Sequence, residues 1–123
     1  HLHWTAFKSH PVPVQTPFPV VIGGSKGKAF ERVARYGQGW FAPTVSADQL
    51  KPMLESLSKA CAEIGRDPAE VEISSMWIPA MGLDSLHQFA DLGVARLIVP
   101  VQALGGNPIE ALDGLGYDVI AKL

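Results

Sequence analysis

The chain contains a single cysteine, Cys61, which excludes an internal disulfide and fits a reducing, cytoplasmic compartment. No apolar run approaches the roughly 20 residues of a membrane-spanning helix, and no signal-peptide pattern is present. There is no excess of basic charge: ten Lys and Arg stand against twelve Asp and Glu, for a net charge of −2 and a pI near 6.1. That balance argues against nucleic acid or an anionic membrane as the main partner. There is no HExxH pair, no Ser–His–Asp arrangement, no paired-cysteine motif and no full Walker loop. The four histidines are scattered. His1 and His3 are close enough to touch one metal but lack a third ligand. His10 sits among prolines, and His87 has no evident acid or nucleophile beside it. The sequence therefore names no metal site and no catalytic acid or base.

What is present is a globular composition, 47% hydrophobic and 18% charged, in 123 residues, the size of one domain. Residues 1–16 read as an irregular lead-in, because Pro11, Pro13, Pro17 and Pro19 force extended backbone. Residues 17–123 read as one domain. Val20 to Ile22 reads as a short buried strand that ends in Gly23-Gly24-Ser25-Lys26-Gly27, where a helical pattern begins. Ser25 is the expected N-cap of a helix from Lys26 to Tyr36, with Ala29, Phe30, Val33 and Ala34 inward and Gly37 as its C′ residue. Gly39 to Pro43 reads as a second strand. Ser46 and Gln49 form a capping box for a second helix, whose inner face carries Leu50, Met53, Leu54, Leu57, Cys61 and Ile64. Gly65 stops it. Val71 to Ile78 reads as a third strand. Asp84 is placed to cap a third helix with Leu86, Phe89 and Ala90 inward. Ala95 to Pro100 is apolar enough to read as a strand buried on both faces. Asn107, Pro108 and Glu110 open a fourth helix lined by Leu112, Leu115, Val119 and Ile120. This βαβαβαβα order implies an α/β fold with a parallel sheet.

The Gly-Gly-Ser turn is the feature with chemistry in it. A helix start leaves backbone N–H groups unpaired and carries about half a positive charge. Glycines there let a phosphate approach without a Cβ in the way. An ordinary strand-to-helix turn has the same look, so from these residues alone both readings stand. Lys26 and Lys28 are unfavourably placed at a helix N-terminus unless an anion is present, although exposed lysines are commonly just solvated.

Four stretches resemble one family. Pro13-Val14-Gln15-Thr16-Pro17-Phe18-Pro19-Val20-Val21-Ile22-Gly23-Gly24 is similar to the "PVQ-P-PP-I-IGG" stretch of luciferase-like monooxygenases. Arg32-Val33-Ala34-Arg35-Tyr36-Gly37-Gln38-Gly39-Trp40 resembles "R-AR-GDGW", Gly65-Arg66-Asp67-Pro68-Ala69-Glu70-Val71 resembles "GRDPAEV", and Leu92-Gly93-Val94-Ala95-Arg96-Leu97-Ile98-Val99 resembles "LGV-R-VV". Gln38 stands where the family commonly has Asp. The family comprises flavin- and deazaflavin-dependent (coenzyme F420) oxidoreductases on a TIM barrel. The resemblance covers the C-terminal part only: a TIM barrel takes eight βα units and about 250 residues, and this chain has four units. The implied fold is half of a (β/α)8 barrel, with open edge strands and a bare inner face. Pairing of two copies into a closed barrel is the expected remedy.

The resemblance implies that Gly23, Gly24, Ser25, Lys26 and Gly27 hold the phosphate of FMN or coenzyme F420. Trp40 and Thr44 follow the second strand at the functional rim. Trp40 reads as core or pocket wall, and Thr44 as a phosphate or ring-edge partner or as a second cap beside Ser46. Met76, Trp77 and Met81 suit an apolar ring or a core. Gly105, Gly106 and Asn107 repeat the Gly-Gly-cap pattern and make a second candidate anion site. Arg96, at the opposite end of its strand, is expected in a surface ion pair. Three functional readings remain open: an oxidoreductase half-barrel, a non-catalytic cofactor-binding or assembly remnant, and a fragment of a longer enzyme. The last is allowed because residue 1 is not Met.

Overall fold

The computed structural model describes Thr5 and residues 10–122. His1 and His3 lie outside the described residues. Residues 10–20 form neither helix nor strand and are exposed. Eight elements then alternate: β1 (Val21–Gly23), α1 (Ala29–Tyr36), β2 (Gly39–Phe41), α2 (Ala47–Ala62), β3 (Glu72–Met76), α3 (Asp84–Asp91), β4 (Val94–Ile98) and α4 (Pro108–Asp118). Short 3-10 turns intervene at Pro68–Glu70, Pro79–Met81 and Val101–Ala103, and another closes the chain at Ile120–Lys122.

The strands form one sheet in the order β1-β2-β3-β4, and each neighbouring pair is parallel. Sequential order is decisive. Right-handed crossovers that always step the same way place every helix on the same face of the sheet. That is the winding of a barrel, not of a doubly wound sheet. The chain is a half α/β-barrel unit of four βα repeats.

The core lies between sheet and helices. Trp40, Phe89, Leu50, Leu57 and Val33 are completely or almost completely buried, and Cys61 and Ile73 join them. Ile22 and Leu97 of the sheet and Val99 just after β4 pack against this cluster. The other sheet face is open, with Val21 52% and Ile98 43% exposed. Glu72 and Arg96, both exposed, form an ion pair across it, Nη2 to Oε1 at 2.9 Å, which is the pair expected for Arg96. Gly39 is a glycine because a Cβ there would come within 3.2 Å of both Val21 Cγ2 and the Glu72 carbonyl oxygen.

Several expectations change for one physical reason. Val20–Ile22 and Ala95–Pro100 are apolar, yet β1 and β4 are edge strands with one bare face, so neither is buried on both sides. Apolar composition alone does not tell a central strand from an edge strand of a sheet covered on one face. Ile64, Ala90, Leu112 and Ile120 are exposed rather than inward, while Leu115 and Val119 do pack on the core. α1 starts at Ala29, not Lys26, and Lys28 rather than Ser25 occupies its N-cap. Gly37 ends it with an extended φ of −87° instead of a left-handed one. Asp84 is the first residue of α3 and caps nothing, since Leu83 is the N-cap. The Asn107 cap stands as read: its Oδ1 accepts from the Ile109 N–H at 3.1 Å.

Candidate functional site

Residues after the C-terminal ends of parallel strands share one rim, the end where barrel sites are built. The Gly23–Lys28 segment, the Thr44 loop, the Met76–Met81 segment and the Gly105–Asn107 turn all lie there.

The first segment is unusual in its backbone. Gly24 has φ +112° and Gly27 φ +57°, values that L side chains rarely adopt. A Cβ on Gly24 would also press on Ala29 Cβ at 3.3 Å. The second glycine turns the chain once more before the helix. That is why Ser25 misses the N-cap position the sequence suggested. α1 has no side-chain cap at all, whereas α2 is capped by Ser46 and α4 by Asn107. Among the described residues, the amides of Ser25, Lys26, Gly27 and Lys28 donate to no internal acceptor. Lys26 and Lys28 are exposed, and neither pairs with a carboxylate among the described residues. Glu31, in the first helical turn, is the nearby charge of opposite sign. The segment is a row of backbone donors without internal partners, flanked by two exposed cations, the kind of group that suits an oxyanion.

Trp40 does not line this surface. Its indole is 0% exposed and lies beneath the turn, where Nε1–H donates to the Gly24 carbonyl at 2.8 Å. Phe30 meets it edge to face, with ring centroids 5.4 Å apart. The sequence signalled the aromatic residue but not this long-range bond.

Thr44 is buried, and its hydroxyl works locally. It donates to Gln49 Oε1 at 2.8 Å and accepts from the Ser46 N–H at 3.0 Å. Ser46 Oγ accepts from the Gln49 N–H at 3.4 Å. The capping box is thus relayed: Gln49 closes it through Thr44 instead of reaching the Ser46 amide itself. Behind Thr44, Ser75 Oγ donates to the Thr44 carbonyl at 2.8 Å.

Trp77 is core. It is buried, and its Nε1–H donates to Ser85 Oγ at 2.8 Å, which in turn donates to the Gly82 carbonyl at 2.7 Å. Met81 packs against the same core. At the second Gly-Gly turn, Gly105 and Gly106 have positive φ, but Asn107 already caps α4 and donates through Nδ2 to Glu110. A capped helix start with a carboxylate beside it is a poorer anion site than the first turn. A cavity of about 250 Å³ lined by Pro79, Leu104, Ala111 and Leu115 lies beside α4, away from the first turn. Among the described residues, no group of three His, Cys, Asp or Glu is gathered as for a metal, and no helix is long and apolar enough to cross a membrane.

Gln38 has a clear role that the sequence left open. Its Oε1 accepts from the Val20 N–H at 2.8 Å, and its own N–H donates to the Val20 carbonyl at 2.9 Å. It fastens the entry to β1 at the rim opposite the site.

Four parallel strands alternating with helices in sequential order define the chain as a half α/β-barrel unit. The luciferase-like monooxygenase family profile matches residues 1–92, about three quarters of the chain, and the chain belongs to that family. Its fold is that of a flavin-type oxidoreductase family. No curated protein matches the chain. Among solved structures, the crystal structure of DmoA from Hyphomicrobium sulfonivorans is similar at 16% identity and a TM-score of 0.43, over 84% of this chain and 21% of that one. The chain thus spans about a fifth of the length of the DmoA chain.

Proposed function

We propose that this chain is the cofactor-phosphate-binding half of a flavin- or deazaflavin-dependent oxidoreductase barrel, and that the Gly23–Gly27 turn holds the phosphate of FMN or coenzyme F420. The single observation that carries the reading is the row of four unpartnered amides, Ser25 to Lys28, in a turn shaped by the positive φ of Gly24 and Gly27 at the rim where barrel enzymes bind phosphates. Lys26 and Lys28 add charge. The ring would supply the hydride or oxygen chemistry, and this chain would orient it and help exclude water. Thr44 shapes the neighbouring loop. Its fixed hydroxyl leaves it the smaller part of the site.

The bare sheet face and the two open edges, β1 and β4, call for a partner. A second copy related by a twofold axis would set β4 of each copy beside β1 of the other. That continues the parallel order through eight strands and leaves no free edge.

Fluorescence titration with FMN and with coenzyme F420 tests the cradle. The expected result is micromolar binding of one cofactor, lost in Gly24→Val and weakened at least tenfold in Ser25→Asp, which places a carboxylate in the cradle without a Cβ at positive φ. Equal binding by wild type and Ser25→Asp would overturn the proposal. Turnover of the reduced cofactor with an aldehyde, alcohol or alkane separates an enzyme from a non-catalytic carrier.

A further inference from the structure

The Gly24–Ser25 peptide unit has two ways to face. It is a trans unit, since the cis bonds among the described residues are at Pro11 and Pro17. In a planar trans unit the carbonyl of one residue and the N–H of the next point in opposite directions. If the Gly24 carbonyl faces the core, the Ser25 N–H faces out to where a phosphate would sit. If the unit flips, a carbonyl oxygen meets the phosphate and the first donor is lost. Glycine makes such a flip sterically cheap, and Ser25 gives no cap bond to resist it.

We infer that Trp40 is the positioning residue that sets this peptide. Its Nε1–H holds the Gly24 carbonyl inward at 2.8 Å. The indole is itself immobilised: it is completely buried, it sits on β2 in register with Ile22 and Ile73, and Phe30 of α1 braces its ring. One side chain from β2 thereby links β1, the turn and α1. Trp40 touches no ligand. It acts through the backbone donor it orients, and the ligand is whatever phosphate monoester or diester the turn accepts. The indole offers a donor and no acceptor, so it selects the carbonyl-in orientation and cannot stabilise the flipped one.

This inference rests on the phosphate-cradle reading, and the experiment separates the two. The affinities of the full chain for FMN and for riboflavin, which differ only in the phosphate, are measured for wild type, Trp40→Phe and Phe30→Leu. The expected wild type prefers FMN at least tenfold. Trp40→Phe, which keeps an aromatic ring but loses the donor, drops that preference at least fivefold with little change for riboflavin. Phe30→Leu loosens the same packing but keeps the preference. No FMN preference in wild type overturns the cradle reading and this inference with it. A wild-type preference that Trp40→Phe retains overturns the positioning role alone. So does an equal loss in Phe30→Leu, because packing would then account for it. Hydrogen exchange of the Trp40 indole N–H in the unmodified chain covers the case in which Trp40→Phe does not fold. Protection that increases with FMN but not with riboflavin is expected, and fast exchange unaffected by FMN overturns the inference.

Discussion

Thr44 has one hydroxyl, and the loop after β2 uses it locally: it donates to Gln49 Oε1, lies 3.4 Å from the Ser46 carbonyl, and accepts from the Ser46 N–H. The sequence showed the Ser46–Gln49 spacing of a capping box but not its relay, because the relay depends on a buried loop conformation. Trp40 teaches the same lesson. Its aromaticity and its core alternative were legible, but it lies within β2 rather than after it at the rim, and the bond to the Gly24 carbonyl spans 16 residues and has no local signature. Cys61 is a residue-scale case with a measurable consequence. Burial pushes its thiol pKa up, opposed by nearby Arg66 and reinforced by Glu70 and Asp67. A thiol whose folded pKa is raised contributes its full stability below the unfolded value of about 8.5. That contribution is lost as the pH climbs toward the folded value. Wild type should therefore lose stability faster than Cys61→Ala as the pH rises above about 8.5, as read by urea melts. Parallel curves for the two would contradict the assignment.

Among the elements, α1 and α2 are joined by a device the sequence hid inside a family-like stretch. Gly65 leaves α2 with φ +70°. Arg66 then reaches back, and its Nη1 donates to the carbonyls of Val33 at 3.1 Å and Ala34 at 2.8 Å. Both belong to the last turn of α1: the Val33 carbonyl also accepts from the Gly37 N–H at 2.9 Å, while Arg66 serves the Ala34 carbonyl, one of the terminal carbonyls a helix leaves unpaired. Asp67 caps the following 3-10 turn by accepting from the Ala69 N–H at 2.9 Å. The Arg66 side chain is only 17% exposed, against 64% for its ion-pair partner Glu70. Arg66→Ala should cost about 1–3 kcal/mol of stability, the range for orphaned, partly buried polar groups. Glu70→Ala should cost under about 1 kcal/mol, as exposed ion pairs do. Chemical denaturation checks both, and equal losses would mean that the ion pair, not the carbonyl bonds, is the anchor. Helix faces were largely readable from periodicity. α1's start was not, because the second turn glycine at position 27 delays the helix by a few residues.

At the scale of the whole molecule, alternation of strands and helices was plain in the sequence, and the sequential parallel sheet follows from it. Burial of β1 and β4 was not readable. β1 and β4 are the edges of a four-stranded sheet whose helices cover one face, which the apolar composition of these strands does not reveal. The exposed Val21 and Ile98 are positions a closed barrel would cover. Light scattering should give twice the 13.2 kDa chain mass, and a monodisperse monomer would contradict closure by a second copy. The cradle is independent of that outcome and is the central claim. The most direct test maps backbone amide shifts across the chain as FMN is added, with riboflavin as the phosphate-free control. The account predicts that the phosphate-dependent shifts concentrate on Ser25, Lys26, Gly27 and Lys28. Phosphate-dependent shifts centred on Gly105–Asn107 or spread over exposed lysines, with residues 25–28 unmoved, would contradict it.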